Sequence, residues 1–232
     1  MKDLLWSAEE AQAWDHYLQH DLGLTASLLM EDAAVALANN ILQVSKDKGF
    51  TKTLLLCGTG HNGGDAVTAA RHLLGSSLDL RLAFPLGPPR PASLTLGALT
   101  TLARLGLHPE PASTPLRHLL QGTDLVVDAL FGIGLNRPLT GAAHDLVLAL
   151  NAAKLPVMAV DVPSGLNATT GSVWGAAVRA DWTVSFVGVK QGFLQGSGPA
   201  LAGEVRIAEI GVRPEIAAAW LQTRRAAISR GS

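Results

Sequence analysis

The sequence predicts an α/β protein in which a mostly parallel central sheet carries helices on both faces. Short, almost wholly apolar segments alternate with longer segments whose apolar residues recur at helical spacing. Hydrophobic residues make up 48% of the chain and charged residues 16%, as expected when both faces of a sheet are buried. A glycine-rich segment follows the first predicted strand, where α/β proteins bind phosphate groups. We therefore expect a single globular domain over residues 1–232.

Two helices are predicted ahead of the first strand. Ser7 and Glu10 have the spacing of a capping box, which predicts a helix from Ser7 to about residue 20. A stripe of apolar residues near helical period predicts a second helix over residues 26–44.

Strands and helices alternate through the rest of the chain. Strands are predicted over residues 53–57, 78–84, 125–128, 156–161, 183–187 and 204–208, and helices over residues 64–74, 92–105 and 144–151. The basic segment 223–230 is interpreted as a frayed helix end. Because parallel sheets bind ligands beyond the carboxyl ends of their strands, functional residues are expected at that edge.

Composition excludes several classes of function. A formal net charge of −1 gives the chain as a whole no attraction for nucleic acid or an anionic membrane. The single cysteine, Cys57, excludes an intramolecular disulfide and a multi-cysteine metal site, and we expect it to be buried. We find no signal peptide and no segment of membrane-spanning length, so we expect a soluble, cytoplasmic protein.

The glycine run first suggests a nicotinamide dehydrogenase. Gly58, Gly60 and Gly63 satisfy the G-x-G-x-x-G pattern, but a dehydrogenase also needs an acidic residue at the end of the second strand. That strand ends in Ala83, and Asp79 lies near its start. A P-loop motif is absent as well. The run indicates a phosphate-bearing ligand, and the dehydrogenase hypothesis is weakened.

Two further strands end in a carboxylate followed by a glycine-bearing loop. Asp128 and Asp161 are candidates for acid/base work or cation binding, although either could merely cap the turn that follows it. Asn62, Asp128 and Ser164 offer hard oxygen donors, which suit an alkali or alkaline-earth cation better than zinc. Ser164 as a nucleophile is disfavoured, because its surroundings lack the G-x-S-x-G pattern.

Lysine and histidine side chains complete the set of candidates. Lys190 follows a strand and precedes a glycine-rich loop, so its ammonium group could reach a phosphate or a reacting oxygen, or could simply be solvated. His16 and His20 share a helix face at metal-ligand spacing, but without a third ligand motif we interpret them as solvated surface residues.

Four ordered segments together resemble one family. CGTGHNGGDAVTAARHL, VVDALFGIGLNRPLTG, AVDVPSGLNATTG and ADWTVSFVGVKQGFLQG are similar to segments of the NAD(P)H-hydrate epimerase family, the N-terminal module type of YjeF proteins. The resemblance runs from residue 28 to residue 211, which is nearly the whole chain.

The resemblance implies a Rossmann-like α/β/α isomerase, usually a homodimer, that interconverts the R and S epimers of hydrated NADH and NADPH in nicotinamide nucleotide repair. It implies functional coupling to an ADP- or ATP-dependent NAD(P)H-hydrate dehydratase, which uses the S epimer and for which no fused domain is expected within residues 1–232. It also implies one potassium ion per subunit, held by Asn62, Asp128 and Ser164.

Residue roles follow from the same resemblance. The family pattern implies substrate contacts by His61, Asn62, Gly63, Gly64, Asp65, Gly132, Ile133, Gly134, Leu135, Asn136, Arg137, Pro138 and Asp161. Epimerisation needs proton transfer to and from oxygen but no hydride transfer. We therefore assign catalysis to Asp161, with Lys190 as a weaker candidate helper. The alternative is a non-catalytic nucleotide-binding or scaffold module of the same fold.

Overall fold

The computed structural model describes residues 5–230, so the ends of the domain predicted over residues 1–232 lie outside the described part. Six strands form one sheet in the order β2-β1-β3-β4-β5-β6, and every neighbouring pair is parallel. The strands are β1 (Lys52–Cys57), β2 (Asp79–Ala83), β3 (Leu125–Ala129), β4 (Val157–Val160), β5 (Trp182–Phe186) and β6 (Glu204–Ala208). The predicted parallel α/β fold is confirmed.

Helices cover both faces of this sheet. They are α1 (Ala8–His20), α2 (Ala26–Lys48), α3 (His61–Leu73), α4 (Leu94–Arg104), α5 (Leu116–Leu120), α6 (Gly141–Ala153), α7 (Gly198–Leu201) and α8 (Pro214–Arg230). The predicted capping box is present, with the Glu10 amide 3.0 Å from Ser7 Oγ and the Ser7 amide 2.8 Å from Glu10 Oε2. Across residues 5–230 we find no helix with the length and apolar character needed to cross a membrane.

Two helices depart from their predicted bounds for identifiable reasons. α2 continues four residues beyond residue 44 and ends at Gly49, whose φ of 72° provides the left-handed C-cap. α3 begins at His61, three residues before the predicted start at Gly64. Glycines are poor helix formers, which is why the sequence pattern favoured a loop there.

The basic C-terminal segment is the end of a helix, as predicted, although most of that helix was not predicted and side-chain contacts anchor its end. Segment 223–230 is the second half of α8, and the Arg225 guanidinium anchors it to α1. Arg225 Nε lies 2.6 Å from Glu10 Oε1, and another guanidinium nitrogen donates to the Leu5 carbonyl at 2.6 Å. The short helices α5 and α7 were also not predicted.

The core lies in two layers because successive strand residues point to opposite faces. Leu55, Val127 and Met158 pack with α2, α3 and α4, whereas Leu54 and Val126 pack with α5 and α6. Cys57 belongs to the first layer and has no exposed surface, as predicted.

A tryptophan cluster fixes α1 and α8 beside the carboxyl edge of the sheet. Trp6, Trp14 and Trp220 pack against one another with ring centroids 5.0–6.4 Å apart. The Trp6 amide donates to the Val189 carbonyl, and the Gln191 amide donates to the Trp6 carbonyl, each at 2.8 Å. The chain entering α1 is thereby paired with the segment that follows β5.

Replacing Gly63 with alanine should destabilise the fold by about 3 kcal/mol, because the added Cβ would overpack rigid backbone. That atom would lie 2.0 Å from the Gly58 carbonyl oxygen, where no side-chain rotation can relieve the contact. Gly97→Ala in α4 is the matched control: its Cβ would meet no atom within 4 Å, and the change should stabilise the helix by up to ~1 kcal/mol. Urea unfolding measures both, and equal effects would contradict this packing.

Candidate functional site

A cavity of about 550 Å³ lies beyond the carboxyl ends of the central strands. The segments that follow β1, β2, β3, β4 and β5 contribute to its wall, and residues of α1 and α2 close it from the other side. Concave sites of this volume accommodate small-molecule ligands. The cavity is the candidate functional site.

Most residues predicted to contact a substrate line this cavity. Those that do are His61, Asn62, Asp65, Gly132, Ile133, Gly134, Leu135, Asn136, Arg137 and Asp161, together with Lys190. Gly63, Gly64 and Pro138 do not line it, and neither do Asp128 and Ser164, which are fully buried beneath it.

The glycines of the first loop serve close packing. A Cβ at Gly58 would lie 1.9 Å from the Leu130 carbonyl oxygen, so the exits of β1 and β3 are in direct backbone contact. A Cβ at Gly64 would lie 2.5 Å from Met30 Cε. The first turn of α3 is thus pressed against the exit of β1 and against α2, and no side chain caps it at Gly60. Its first amide groups, which have no helical acceptor, are available to an anionic ligand.

Asp161 and Lys190 form a buried ion pair. Lys190 has 1% of its surface exposed, and its Nζ lies 3.0 Å from Asp161 Oδ1 and 2.9 Å from Ser185 Oγ. The carbonyl oxygens of Phe186 and Gly188 accept from the same nitrogen at 2.8 and 3.3 Å. The alternative of a solvated lysine is therefore wrong. An ammonium group that is almost completely buried is stable only when protein acceptors surround it in this way.

The backbone aims Asp161 at the cavity. Its φ of 64° is in the left-handed region, which a non-glycine residue occupies at a cost of about 1–3 kcal/mol. The Asp161 amide donates to the Val184 carbonyl at 2.8 Å, which holds this turn against β5. Only Oδ1 of the carboxylate has partners among the described residues, namely Lys190 and the Phe186 amide. Oδ2 is left without a protein donor in that part of the chain.

Asp65 is a second carboxyl group on the cavity wall, in a different environment. It is 9% exposed, and within residues 5–230 no donor or cation pairs with it. Burial raises the pKa of Asp65 well above its ordinary value, and the nearby charges of Asp161 and Asp15 raise it further. One wall thus holds a carboxyl group whose pKa is raised by burial, and the other holds an ion-paired carboxylate.

Asp128 and Ser164 are joined beneath the cavity floor. Ser164 Oγ donates to Asp128 Oδ1 at 2.6 Å, and the Ser164 amide donates to Oδ2 at 2.8 Å. Complete burial raises the pKa of Asp128 to about 6, although these hydrogen bonds act in the opposite direction. No cationic side chain of residues 5–230 forms an ion pair with this carboxylate.

Asn62 reaches the same place from α3. A Cβ on Gly132 would lie 3.1 Å from Asn62 Oδ1, and the adjacent Phe131 amide donates to Ser164 Oγ at 2.9 Å. Asn62 Nδ2 is buried without a hydrogen-bond partner in the described chain. The structure thus brings Asn62 to the loop whose Phe131 amide contacts Ser164, the partner of Asp128, although Asn62 and Ser164 are 102 positions apart in sequence. A nucleophilic role for Ser164 gains no support, since its hydroxyl is buried and donates to a carboxylate.

Sequence reasoning missed two contributions to the cavity. Asp15 of α1 and Arg90, from the segment between β2 and α4, both line it. A lone arginine among prolines was the available signal for Arg90. His16 and His20 stack with ring centroids 4.0 Å apart on the exposed face of α1, and no group of three His, Cys, Asp or Glu residues in the described chain could hold a metal ion.

The chain is similar to a known family of proteins. A sequence model of the family described as YjeF-related protein N-terminus matches residues 26–192. The crystal structure of yeast ynu0, YNL200c, superposes with a TM-score of 0.75 at 22% identity, covering 82% of each chain. That likeness supports the Rossmann-like three-layer fold.

Curated relatives are similar over most of the chain. The NAD(P)H-hydrate epimerase of Levilactobacillus brevis is 37% identical over 88% of this chain and 92% of that protein. The NAD(P)H-hydrate epimerase of Weissella koreensis is 36% identical over 89% and 90%. The bifunctional NAD(P)H-hydrate repair enzyme Nnr of Thermofilum pendens is 36% identical over 87% of this chain, which spans 39% of that longer protein.

Replacing Asp65 with asparagine should stabilise the protein increasingly as pH rises. Since the folded pKa of Asp65 is raised, the unfolded chain releases this proton at lower pH than the folded protein does. Wild type therefore loses stability from about pH 4 upward through the raised pKa, whereas the uncharged amide has no such dependence.

Urea unfolding of both proteins at pH 4.5 and pH 8, in potassium-free buffer, measures this difference. Asp79→Asn, at an exposed position at the start of β2, is the control and should show no widening with pH. A stability gap for Asp65→Asn that stays constant or narrows would contradict the assignment of a buried neutral acid.

Proposed function

This chain belongs to the family of YjeF-related N-terminal domains, and from that membership we propose that it interconverts the R and S epimers of hydrated NADH and NADPH. The enzyme is an isomerase that serves nicotinamide nucleotide repair. The observation that carries the proposal is an ion-paired carboxylate, Asp161, on the wall of a cavity large enough for a nucleotide.

The chemistry requires proton movement and no redox partner. The hydrate carries a hydroxyl on the ring carbon beside nitrogen, so inversion proceeds by loss and return of water or by ring opening and closing. Loss of water protonates the departing hydroxyl, and its return deprotonates the incoming water. Ring opening instead deprotonates the hydroxyl oxygen as the C–N bond breaks and the departing nitrogen side gains a proton, and ring closing reverses both transfers. Two carboxyl groups line the cavity in different environments: Asp161 is paired with Lys190, and burial raises the pKa of Asp65. Such a pair suits proton exchange.

Asp161 acts as the base and stabilises positive charge on the ring. Its Oδ1 is occupied by Lys190, so the proton is accepted at Oδ2. Lys190 Nζ lies 3.0 Å from this carboxylate, and the backbone turn holds it in place. Lys190 thus acts through Asp161 as a positioning residue, because its ammonium protons are already donated to protein acceptors.

Asp65 supplies the acid. Burial, followed by the charges of Asp161 and Asp15, raises the pKa of Asp65 and so favours the protonated form of its carboxyl group. Without a protein acceptor among residues 5–230, its proton is free to be donated to the hydroxyl of the hydrate.

The nucleotide portion binds along the first turn of α3 and the loop after β3. His61, Asn62 and the backbone amide groups of these two residues present donors to phosphate, with the partial positive charge of the helix end. Arg137 lines the cavity from the facing loop, Gly132 to Pro138, and adds a full positive charge.

Asn62, Asp128 and Ser164 are proposed to hold one potassium ion. These residues fit the ion, since Asp128 is a fully buried carboxylate without a cationic partner among the described residues. The unpartnered Asn62 amide supports the same proposal, because a half turn would exchange its nitrogen for the oxygen that a cation prefers. When bound, potassium supplies a fixed positive charge that can orient substrate oxygen atoms.

We further propose a homodimer and functional coupling to an ADP- or ATP-dependent NAD(P)H-hydrate dehydratase that consumes the S epimer. The single domain over residues 1–232 also stays a prediction. The non-catalytic scaffold alternative is disfavoured, because a scaffold would not need a buried ion pair and a neutral acid facing one cavity.

Asp161→Asn should lower kcat by about 10²- to 10⁴-fold with little change in KM, because the variant binds the hydrate but cannot accept its proton. The assay supplies the R hydrate with an S-specific dehydratase and potassium, and follows recovery of reduced cofactor. Asp79→Asn removes an exposed carboxylate at the start of β2, outside the cavity, and should stay close to wild type. If wild-type protein did not accelerate recovery of reduced cofactor, the proposed epimerase activity would be refuted. Near-normal turnover by Asp161→Asn would refute the assignment of Asp161 as the base.

Potassium chloride should raise the Tm above that in tetramethylammonium chloride of equal concentration, by roughly 2 to 4 °C for each kcal/mol of binding. Asp128→Asn should abolish the difference, because it removes the buried charge that the cation neutralises. Thermal unfolding followed by circular dichroism measures both. If potassium raised the Tm of wild type and of Asp128→Asn equally, the cation would act at a site that does not include Asp128.

A further inference from the structure

Arg90 stands at the cavity on the segment between β2 and α4. It lines the cavity and is exposed, and its guanidinium forms no hydrogen bond or ion pair with another residue of the described chain. By contrast, Arg71, Arg81 and Arg225 are each paired with a glutamate. An unpaired guanidinium beside a nucleotide cavity is a candidate for binding an anionic group of the ligand.

The backbone beneath this side chain is firmly held. Pro89 and Pro91 flank Arg90, which restricts the backbone on both sides. The Arg90 carbonyl accepts from Ser93 Oγ at 2.7 Å and from the Ser93 amide at 3.2 Å. Ser93 in turn caps α4, accepting from the Leu96 amide. Only the side chain remains to be ordered when a ligand binds, so the entropic cost is small.

The first turn of α4 is also tied to the phosphate-binding end of α3. Thr95 Oγ1 donates to the Gly60 carbonyl at 3.0 Å, and Gly60 is the N-cap of α3. The segment that carries Arg90 is therefore fixed relative to the turn proposed to bind the phosphates.

The order of the strands sets the direction in which a dinucleotide must lie. This step rests on the proposed function, in which the reacting ring meets Asp161 after β4. β2 is three strand positions away from β4 in the sheet, which is roughly 14 Å at the usual spacing. With the reacting ring at β4 and the phosphates at α3, the adenosine half extends toward the exit of β2.

The exit of β2 contains nothing that would repel a further phosphate. It ends at Ala83, without the carboxylate that holds free ribose hydroxyls in NAD-dependent dehydrogenases. Glu110 comes near, because its amide donates to the Leu82 carbonyl, but its carboxylate is paired with Arg81 at 2.8 Å and does not line the cavity.

We propose that Arg90 binds the 2′-phosphate of hydrated NADPH and makes this enzyme prefer that substrate to hydrated NADH. The two arginines of the cavity bind different groups of the ligand. Arg137, on the loop after β3, serves the diphosphate common to both substrates, whereas Arg90 contacts the group that distinguishes them.

The test compares both hydrates in the coupled epimerase assay. Arg90→Ala should lower kcat/KM for hydrated NADPH about 10- to 100-fold, through KM, because a charge-assisted contact is lost. Activity on hydrated NADH should change less than twofold, and Arg90→Lys should recover part of the loss. Arg104→Ala, at the exposed far end of α4, removes an equal charge and should change neither.

Calorimetric titration of wild type and Arg90→Ala with 2′-phospho-ADP-ribose and with ADP-ribose provides a readout independent of turnover. Loss of affinity for the 2′-phosphorylated fragment alone supports the proposal. Equal losses for both fragments, or no loss for either, overturn it. If wild type epimerised neither hydrate, the proposed function would be refuted. The titration would still decide whether Arg90 binds the 2′-phosphate.

Discussion

The ammonium group of Lys190 sets the geometry around the candidate site, because a charge with 1% exposure must find all its partners within the protein. Its acceptors come from three places: the end of β5, the turn after it, and Asp161 after β4. The same segment pairs with Trp6, which leads into α1 and the tryptophan cluster. A single buried cation thus joins the sheet, the strained turn and the helix that closes the cavity.

The parallel register of the sheet completes the site. Leu56 of β1 is paired with Asp128 of β3, and Asp128 with Ala159 of β4, so the three strands end side by side. Backbone contact at Gly58 draws α3 close to these ends, so that Asn62 and Asp65 join carboxylates far away in sequence. The proposed acid, the proposed base and the proposed cation ligands all depend on one edge of the sheet.

Local sequence signals identified the strands, the capping box and the carboxylates at the ends of β3 and β4, because these depend on neighbouring residues. The start of α3 at His61 was not predictable, since the packing of Gly63 against Gly58 outweighs low helix propensity. Nor did the sequence reveal that Lys190 is buried or that Asp65 lacks a donor, because both facts depend on distant segments. Arg90 was missed because its significance comes from strand order.

The most direct test of the central claim is approach to equilibrium from both sides. Pure R and pure S hydrate are incubated separately with the protein and potassium, without dehydratase or nucleoside triphosphate, and the epimer ratio is followed by chromatography. We predict that both reactions reach the same mixture much faster than without protein, with no reduced or oxidised cofactor formed. Epimers that interconvert only at the spontaneous rate would contradict the account.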